Sequence, residues 1–291
     1  DDIYISALEA YSDRAPLHIP PLLAEIEAVR DFFPQSVHYA ISDSAFHASM
    51  PEHLAMLSVA RADAAQYDIR RFGYHGISAS SIVRQLAQTG ASSDHTVVVH
   101  FGGGISVHAI HGGESMNTSM GYDPSSGITM SSRGGDISAG AMLALAASKG
   151  MDIAEAQEYL YTQCGFVGLV GESDMRRVLE QYEAGEGQAQ LLVAKLRHEI
   201  QSQIAAHGFM MGGISQLVLT GTALYRNPLL RALMLAGLDA QGMLLDESAN
   251  QSLESQAGVI STNNSTVVIR VLPADEAAEM LAIYQEQSTQ G

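Results

Sequence analysis

Three consecutive glycines between two β-rich runs constrain the fold of this chain more than any other feature. The runs are residues 95–101 and 105–111, and Gly102, Gly103 and Gly104 lie between them. Apolar, β-branched runs bounded by glycine are typical of strands, and a short glycine-rich connection between them predicts a hairpin. The backbone N–H groups of such a loop form an anion-binding concavity that needs no lysine. An ordinary tight hairpin is the alternative.

Further strands and helices are predicted from hydrophobic runs and periodicity. The other predicted strands are residues 36–42, 216–220 and 266–272. The predicted helices are residues 21–33, 78–87, 139–148, 153–163, 172–183, 188–208, 228–236 and 275–286. The longest has Leu192, Leu196, Ile200 and Ile204 at intervals of four, which predicts one buried stripe. Mixed strands and helices with a hairpin indicate an α/β or α+β fold.

Composition excludes several classes of protein. The 291 residues are 46% hydrophobic and 16% charged, which excludes a disordered chain and allows a sizeable core. The net charge of −17 argues against a nucleic acid or an acidic membrane as partner. The longest apolar runs are too short to span a bilayer, and we expect no signal peptide. The lone Cys164 forms no internal disulfide and suits a reducing cytoplasm.

One basic segment ends in a histidine with glycines close to it on both sides. Arg70 and Arg71 precede His75, which Gly76 follows directly. Glycine lets a backbone approach a ligand closely, and a histidine can donate a hydrogen bond to an anion. The segment therefore indicates anion binding, and a basic strand end followed by a turn histidine is the alternative.

A second arginine lies in a polar, glycine-rich loop. Arg133 is followed by Gly134, Gly135 and Asp136. Its planar guanidinium group suits bidentate contact with a carboxylate or a phosphate. A local ion pair with Asp136 is the alternative interpretation.

Two carboxylates lie at or shortly after the ends of predicted strands. Asp43 follows residues 36–42, and Glu276 follows the last strand after Pro273. Carboxylates at strand ends suit Mg²⁺, a hard ion that prefers oxygen ligands. Helix N-capping or a favourable charge in a first helical turn is the alternative for each. His18, in a proline-rich stretch, is either a positioned ligand contact or a turn residue.

Taken in order, these segments resemble the acetate kinase family. The resemblance is carried by residues 15–18, 43–47, 70–76, 100–104, 117–121, 133–136, 173–176 and 273–276. It implies an α/β, two-domain, actin- and sugar-kinase-like (ribonuclease H-like) fold with a cleft between the domains. Residues 1–45 and 276–291 would form the first domain, incomplete at its N-terminus. Residues 46–275 would form the nucleotide-binding and dimerisation domain.

The resemblance also implies a role for each matching residue. The catalytic residues would be His75, Arg133, Asp43 and His18, with Glu276 and Asp43 near magnesium. Leu17, Tyr74 and Pro124 would line a small apolar pocket for the acid. The nucleotide would be bound by His100, Gly102, Gly103, Gly104, Asp174, Met175, Arg176, Gly221 and Asn227. No covalent protein intermediate is required, because positioning and cations suffice for phosphoryl transfer.

The implied activity is that of an acetate kinase, with Mg²⁺ as cofactor and ATP or ADP as co-substrate. A cytoplasmic homodimer with no nucleic-acid or membrane partner is expected. Bulky Leu224, Tyr225 and Arg226 stand where the family has small residues beside the nucleotide. Pyrophosphate therefore remains open as the phosphoryl donor. Propionate or butyrate remains open as the acceptor, and a non-catalytic nucleotide-binding relative remains the alternative of a different class.

Overall fold

The computed structural model describes residues 2–10, 12 and 19–289. They form two compact units, one ending at Ile41 and one beginning at Ser42. The first unit consists of α1 (Asp2–Glu9) and α2 (Ile19–Phe32), which pack against each other.

The strand predicted over residues 36–42 is wrong, because this stretch has no regular secondary structure. Val37 is 78% exposed and Tyr39 is 59% exposed. Their alternation is typical of a strand, but a strand also needs a hydrogen-bonded neighbour, and no described strand pairs with this stretch.

The second unit contains one mixed sheet. Its strands are β1 (Thr96–Phe101), β2 (Ile105–His111), β3 (Glu114–Thr118), β4 (Gln216–Thr220), β5 (Gly258–Val259) and β6 (Val268–Val271). They are hydrogen-bonded in the order β3-β2-β1-β4-β6-β5. The predicted hairpin is confirmed, since β1 and β2 pair in antiparallel fashion with Phe101 opposite Ile105. Strands β1, β4 and β6 run parallel, so their carboxyl ends meet at one edge of the sheet.

The helices of this unit are mostly those that the periodicity predicts. They are α3 (Glu52–Ala55), α4 (Arg61–Tyr67), α5 (Gly76–Gln88), α6 (Ala139–Lys149), α7 (Ile153–Thr162), α8 (Gly165–Val170), α9 (Met175–Glu183), α10 (Gly187–Met211), α11 (Thr222–Arg226), α12 (Pro228–Leu235), α13 (Glu247–Ser252) and α14 (Glu276–Ser288). Two 3₁₀ helices cover Ala45–Ser49 and Asp239–Gln241. The short helices α3, α4, α8, α11 and α13 have too few residues for a periodic signal, and the sequence does not predict them.

Both faces of the sheet are covered by helices. Val97, Val99 and Phe101 of β1 pack into the larger apolar core with α9, α10 and α12. Val98, between them in sequence, packs on the other face with α5. The predicted stripe on α10 is confirmed, because Leu192, Leu196, Ile200 and Ile204 are all buried. The central strands therefore lie in the middle of three layers, as β-branched runs without a polar face require.

The last helix, α14, packs against α5 within the second unit. The division into residues 1–45 with 276–291 and residues 46–275 stays a prediction. Within the described stretches, no helix combines the length and the apolar character needed to cross a membrane.

Candidate active site

The candidate site lies where β1, β4 and β6 end. His100 is the penultimate residue of β1, Gly221 follows β4 directly, and Glu276 begins the helix that follows β6. Carboxyl ends of parallel strands are the usual place for ligands in open α/β sheets, because loops and helix N-termini converge there. A Cβ on Gly221, whose φ is +82°, would lie 2.6 Å from the Phe101 backbone. Glycine is therefore required for β4 to end so close to the hairpin.

The glycine-rich hairpin turn is compact. The N–H of Gly102 donates to the carbonyl of Gly104 at 2.9 Å, and the hydroxyl of Ser131 donates to the carbonyl of Gly103 at 3.0 Å. A Cβ on Gly102 would lie 3.1 Å from Nε2 of His100, whereas a Cβ on Gly103 would meet nothing within 4 Å. Backbone around Gly103 is thus open to a ligand, with His100 underneath the turn.

Asp43 fixes the backbone of His75. One carboxylate oxygen of Asp43 accepts from the N–H of His75 at 2.7 Å, and the other accepts from the N–H of Ile77 at 3.2 Å. His75 has a φ of 58°, in the left-handed region that a non-glycine residue enters at a cost. Asp43 offsets this cost and satisfies free N–H groups at the start of α5. Asp43 therefore caps the start of α5, as the alternative interpretation has it, and it also lies next to His75.

Arg133 is held by the loop around it. Its Nη1 donates to the carbonyl of Pro124 at 2.7 Å, and its own carbonyl accepts from the N–H of Met130 at 2.9 Å. The ion pair with Asp136 does not form; Asp136 instead accepts from the N–H of Gly127 at 2.8 Å. Burial lowers the pKa of Arg133, while Tyr161 and Asp123 act in the opposite direction.

His75 and Arg133 converge at Gly104. A Cβ on Gly104 would lie 2.8 Å from Nη2 of Arg133 and 2.8 Å from Nε2 of His75. Two polar side chains from segments about 60 residues apart in sequence therefore face one small space beside the hairpin. A guanidinium group and an imidazole that face the same space are suited to bind an oxyanion there, such as a phosphoryl group.

The imidazoles of the site are neutral at pH 7. Burial lowers the pKa of His75 to about 4, and the Arg133 charge adds to the effect. Burial likewise lowers the pKa of His100 to about 3. Nδ1 of His100 lies 2.8 Å from the hydroxyl of Ser78, and its ring stacks on His75 with centroids 4.4 Å apart. Each ring therefore offers one N–H donor at most.

Glu276 and Asp43 are the carboxylates that suit a magnesium ion here. The pKa of Glu276 is raised by desolvation and by the negative charge of Asp43. A divalent cation bound by these carboxylates would offset the repulsion between their negative charges. No cluster of three or more histidine, cysteine or acidic side chains able to hold a metal occurs in the described part of the chain. One or two carboxylates fit Mg²⁺, which is usually completed by water and substrate phosphates.

A pocket of about 430 Å³ opens next to the hairpin. It is lined by six residues of the predicted nucleotide site, Gly102, Gly103, Asp174, Met175, Arg176 and Asn227. Arg176 forms an ion pair with Asp174 at 2.5 Å, and its hydrogen bonds lower the pKa of Asp174 to about 2. His100, Gly104 and Gly221 lie beside this pocket and not in its wall.

Two of the bulky residues expected to obstruct the nucleotide turn away from this pocket. Leu224 is fully buried in the core, and the hydroxyl of Tyr225 donates to the carbonyl of Ser255 at 2.9 Å. Neither lines the pocket, whereas Thr222, Ala223 and Arg226 do. Helix α11 accounts for this pattern, because residues 222, 223 and 226 share a face at helical spacing.

The predicted acid pocket is described in part. The hydroxyl of Tyr74 donates to the carbonyl of Tyr122 at 3.1 Å, and burial raises the pKa of Tyr74 to about 12. Pro124 is linked to Arg133 through its carbonyl, as given above. Leu17 and His18 lie outside the described residues.

Sequence reasoning did not identify the polar side chains behind His75. Nδ1 of His75 lies 2.8 Å from Oγ of Ser106, and that oxygen lies 2.7 Å from Nε2 of His108. Both residues are fully buried on β2. Their spacing of two in a predicted strand was the available signal, because it puts them on one face of the sheet.

The comparisons with known proteins agree with one another. Residues 1–283 match the model of the acetokinase family. The chain is 34% identical to the acetate kinase of Clavibacter sepedonicus over 276 residues, which cover 94% of this chain and 70% of that protein.

Two solved structures of short-chain acyl kinases are similar to this chain. The acetate kinase of Porphyromonas gingivalis superposes with a TM-score of 0.86 at 27% identity, covering 96% of this chain and 71% of that one. A propionate kinase from Francisella tularensis subsp. tularensis superposes with a TM-score of 0.90 at 26% identity, covering 96% and 72%. The predicted actin- and sugar-kinase-like α/β fold is confirmed by these structures.

Proposed function

The chain belongs to the acetokinase family, and we propose that it is an acetate kinase that reversibly transfers the γ-phosphoryl group of ATP to acetate, giving acetyl phosphate and ADP. The observation that carries this proposal is the convergence of His75 and Arg133 on one small space beside Gly104. That space adjoins a pocket of about 430 Å³, which suits the rest of the nucleotide.

The reaction is a direct in-line displacement. A carboxylate oxygen of acetate forms a bond to the γ-phosphorus while the bond from that phosphorus to the ADP oxygen breaks. Acetate is already ionised at neutral pH, so no residue has to remove a proton. The task of the protein is to align the reactants and to stabilise negative charge on the transferring group.

Arg133 and His75 supply this stabilisation. The Arg133 guanidinium group, oriented by the Pro124 carbonyl, binds the equatorial oxygens of the phosphoryl group. His75 donates one hydrogen bond from a neutral ring. The turn formed by Gly102, Gly103 and Gly104, with His100 below it, binds the nucleotide phosphates through backbone N–H groups.

Glu276 and Asp43 would hold Mg²⁺ together with the nucleotide phosphates. When bound, the ion neutralises phosphate charge as the bond to ADP breaks. Asp43 also orients His75 through its backbone N–H. In line with the family resemblance, we propose a cytoplasmic homodimer, with Tyr74, Pro124, Leu17 and His18 around the acid and Gly221, Asn227, Asp174, Met175 and Arg176 around the nucleoside.

Hydroxylamine trapping of acyl phosphate tests the proposal. The full-length protein is incubated with acetate, propionate or butyrate, with ATP or pyrophosphate, and with Mg²⁺ or EDTA. We expect hydroxamate from acetate, ATP and Mg²⁺, and none with EDTA. A stronger signal from propionate would favour the propionate kinase activity named for the Francisella structure. A folded protein that gives no hydroxamate with any pair would be a non-catalytic relative.

Replacing Arg133 tests the site itself. We expect Arg133→Ala to lower kcat by about 10³–10⁵, the range for a catalytic arginine in phosphoryl transfer. Arg70→Ala is the matched control, because the Arg70 side chain is 55% exposed and its contacts are an ion pair with Asp68 and a cation–π contact with Phe72. It should retain activity. Near-normal kcat in Arg133→Ala would remove Arg133 from the mechanism.

A further inference from the structure

A buried chain of hydrogen bonds leads from His75 into the interior. Nδ1 of His75 contacts Oγ of Ser106, which contacts Nε2 of His108, at 2.8 Å and 2.7 Å. Ser106 and His108 are 0% exposed. Neither residue lines the pocket beside the hairpin, and the proposed reaction assigns them no role.

The single hydroxyl proton of Ser106 allows two ordered arrangements. If Ser106 donates to Nδ1 of His75, then Nε2–H of His108 donates to Ser106. If Ser106 donates to His108, then Nδ1–H of His75 donates to Ser106. Each neutral ring has one N–H, so the first arrangement puts the proton of His75 on Nε2 and the second puts it on Nδ1.

The other nitrogen of His108 distinguishes the two arrangements. Nδ1 of His108 is buried and has no hydrogen-bond partner among the described residues. The ring stacked on it, His47, has both nitrogens engaged, with the hydroxyl of Ser115 at 2.7 Å and the carbonyl of Tyr74 at 3.1 Å. In the first arrangement the unpaired Nδ1 carries a lone pair, and in the second it is an N–H. Buried unpaired N–H groups are rarer than buried unpaired acceptors, which favours the first arrangement.

The position of Nε2 of His75 also favours the first arrangement. Nε2 of His75 faces the space beside Gly104 that Nη2 of Arg133 also faces. In the first arrangement both groups are donors to an anion in that space. In the second, Nε2 presents a lone pair to that anion, which is repulsive.

We propose that His108 is a positioning residue that, through Ser106, holds His75 as the Nε2–H tautomer, so that a neutral imidazole donates to the transferring phosphoryl group. Its catalytic consequence rests on the proposed function, but the tautomer itself does not. The arrangement gives the site a donor that carries no charge of its own. It also makes His75 unsuited to accept a proton, which agrees with a reaction that needs no base.

Nitrogen-15 NMR of the full-length protein labelled at histidine tests the proposal without reference to activity. The ring nitrogens of His75 are assigned by the loss of their signals in His75→Gln. We expect Nδ1 of His75 to resonate as a bare acceptor and Nε2 as a protonated nitrogen. A protonated Nδ1 in the wild-type protein would overturn the proposal.

Three variants separate positioning from simple packing. His108→Met keeps the volume but removes the donor, so His75 should become a mixture of tautomers, with kcat lowered about 2–10-fold in proportion to the competent fraction and KM for acetate nearly unchanged. His108→Gln restores a donor and should restore the Nε2–H tautomer. His207→Met is the matched control, because His207 is 2% exposed and bonds the Val107 carbonyl outside this chain of contacts.

An unchanged tautomer in His108→Met, or an equal shift in His207→Met, would show that His108 does not fix His75. If His108→Met fails to fold, Ser106→Ala provides the same test, since it removes the bridging hydroxyl. A wild-type protein with the Nε2–H tautomer but no kinase activity would overturn the proposed function and leave this inference standing.

Discussion

At the residue scale, Arg231 shows how a charged side chain can be fully buried. Its Nε donates to the Asn250 side chain at 2.7 Å, and its Nη1 donates to the carbonyls of Leu224 and Tyr225 at 2.7 Å and 3.2 Å. Its Nη2 donates to the carbonyls of Asn250 and Leu253, both at 2.8 Å. One guanidinium group thus joins α11, which lines the proposed nucleotide pocket, to α13 and the loop after it.

Arg231→Met leaves these oxygens without donors in the interior. We expect the free energy of unfolding to fall by about 3–5 kcal/mol, as when one partner of a buried charged group is removed. The affinity for ATP should fall as well, because α11 loses its anchor. Urea denaturation and nucleotide titration measure the two effects. Arg177→Met, at a side chain 71% exposed, is the control; equal destabilisation in both would contradict this role for Arg231.

Candidate site residues could be picked out from sequence only where a local pattern marked them. His75, Arg133 and Asp43 belong to short segments with recognisable neighbours, and the structure brings all three together. Arg231 and His108 have no such signature. Their partners come from separate stretches of chain, and burial, which gives each its importance, is a property of the folded molecule.

At the element scale, α14 is held on α5 by a buried carboxylate. Glu279 is 1% exposed and accepts from Nε of Arg84 at 2.6 Å and from the hydroxyl of Ser80 at 2.5 Å. Arg84 also pairs with Glu286 at 2.7 Å, where the Glu286 side chain is 58% exposed. Since α14 begins at Glu276, this contact fixes the position of a predicted magnesium ligand.

Glu279→Gln and Glu286→Gln test this attachment as a pair. We expect Glu279→Gln to lower the free energy of unfolding by about 1.5–3 kcal/mol, because a hydrogen-bonded buried charge is lost. Glu286→Gln should cost less than about 1 kcal/mol, as exposed ion pairs do. The Mg²⁺ concentration for half-maximal activity should rise only in Glu279→Gln. Equal effects of the two substitutions would show that the buried contact does not anchor α14.

The elements that sequence predicted well are those with a strong internal period. Helix α10 and the β1–β2 hairpin are fixed by local pattern, and both are confirmed. The strand predicted at residues 36–42 was based on alternating apolar side chains, but no described strand pairs with this stretch. Strand β3 was missed because its residues, including Asn117 and Glu114, are mostly polar. Periodicity along the chain does not show which distant strands pair or which distant helices pack together.

At the scale of the whole molecule, the buried histidines couple folding to pH. Burial lowers the pKa values of His47, His75, His100, His108 and His207. In the unfolded chain each returns to the ordinary value of about 6.5. Between the two values the unfolded state binds more protons, so acid favours unfolding. Stability is therefore fully present above about pH 6.5 and is lost as the pH falls toward the folded values.

His207 allows this to be measured for one group. Burial lowers its pKa to about 4, so the linkage predicts a loss of about 3 kcal/mol from this residue between pH 6.5 and pH 4. In His207→Gln the slope of unfolding free energy against pH should become shallower over that interval, while His53→Gln, at an exposed side chain, should leave it unchanged. Urea denaturation at half-unit steps gives both slopes. An identical slope in His207→Gln and the wild-type protein would mean that His207 is protonated as easily in the folded protein as in the unfolded chain. The acid sensitivity would then have to come from the histidines around His75.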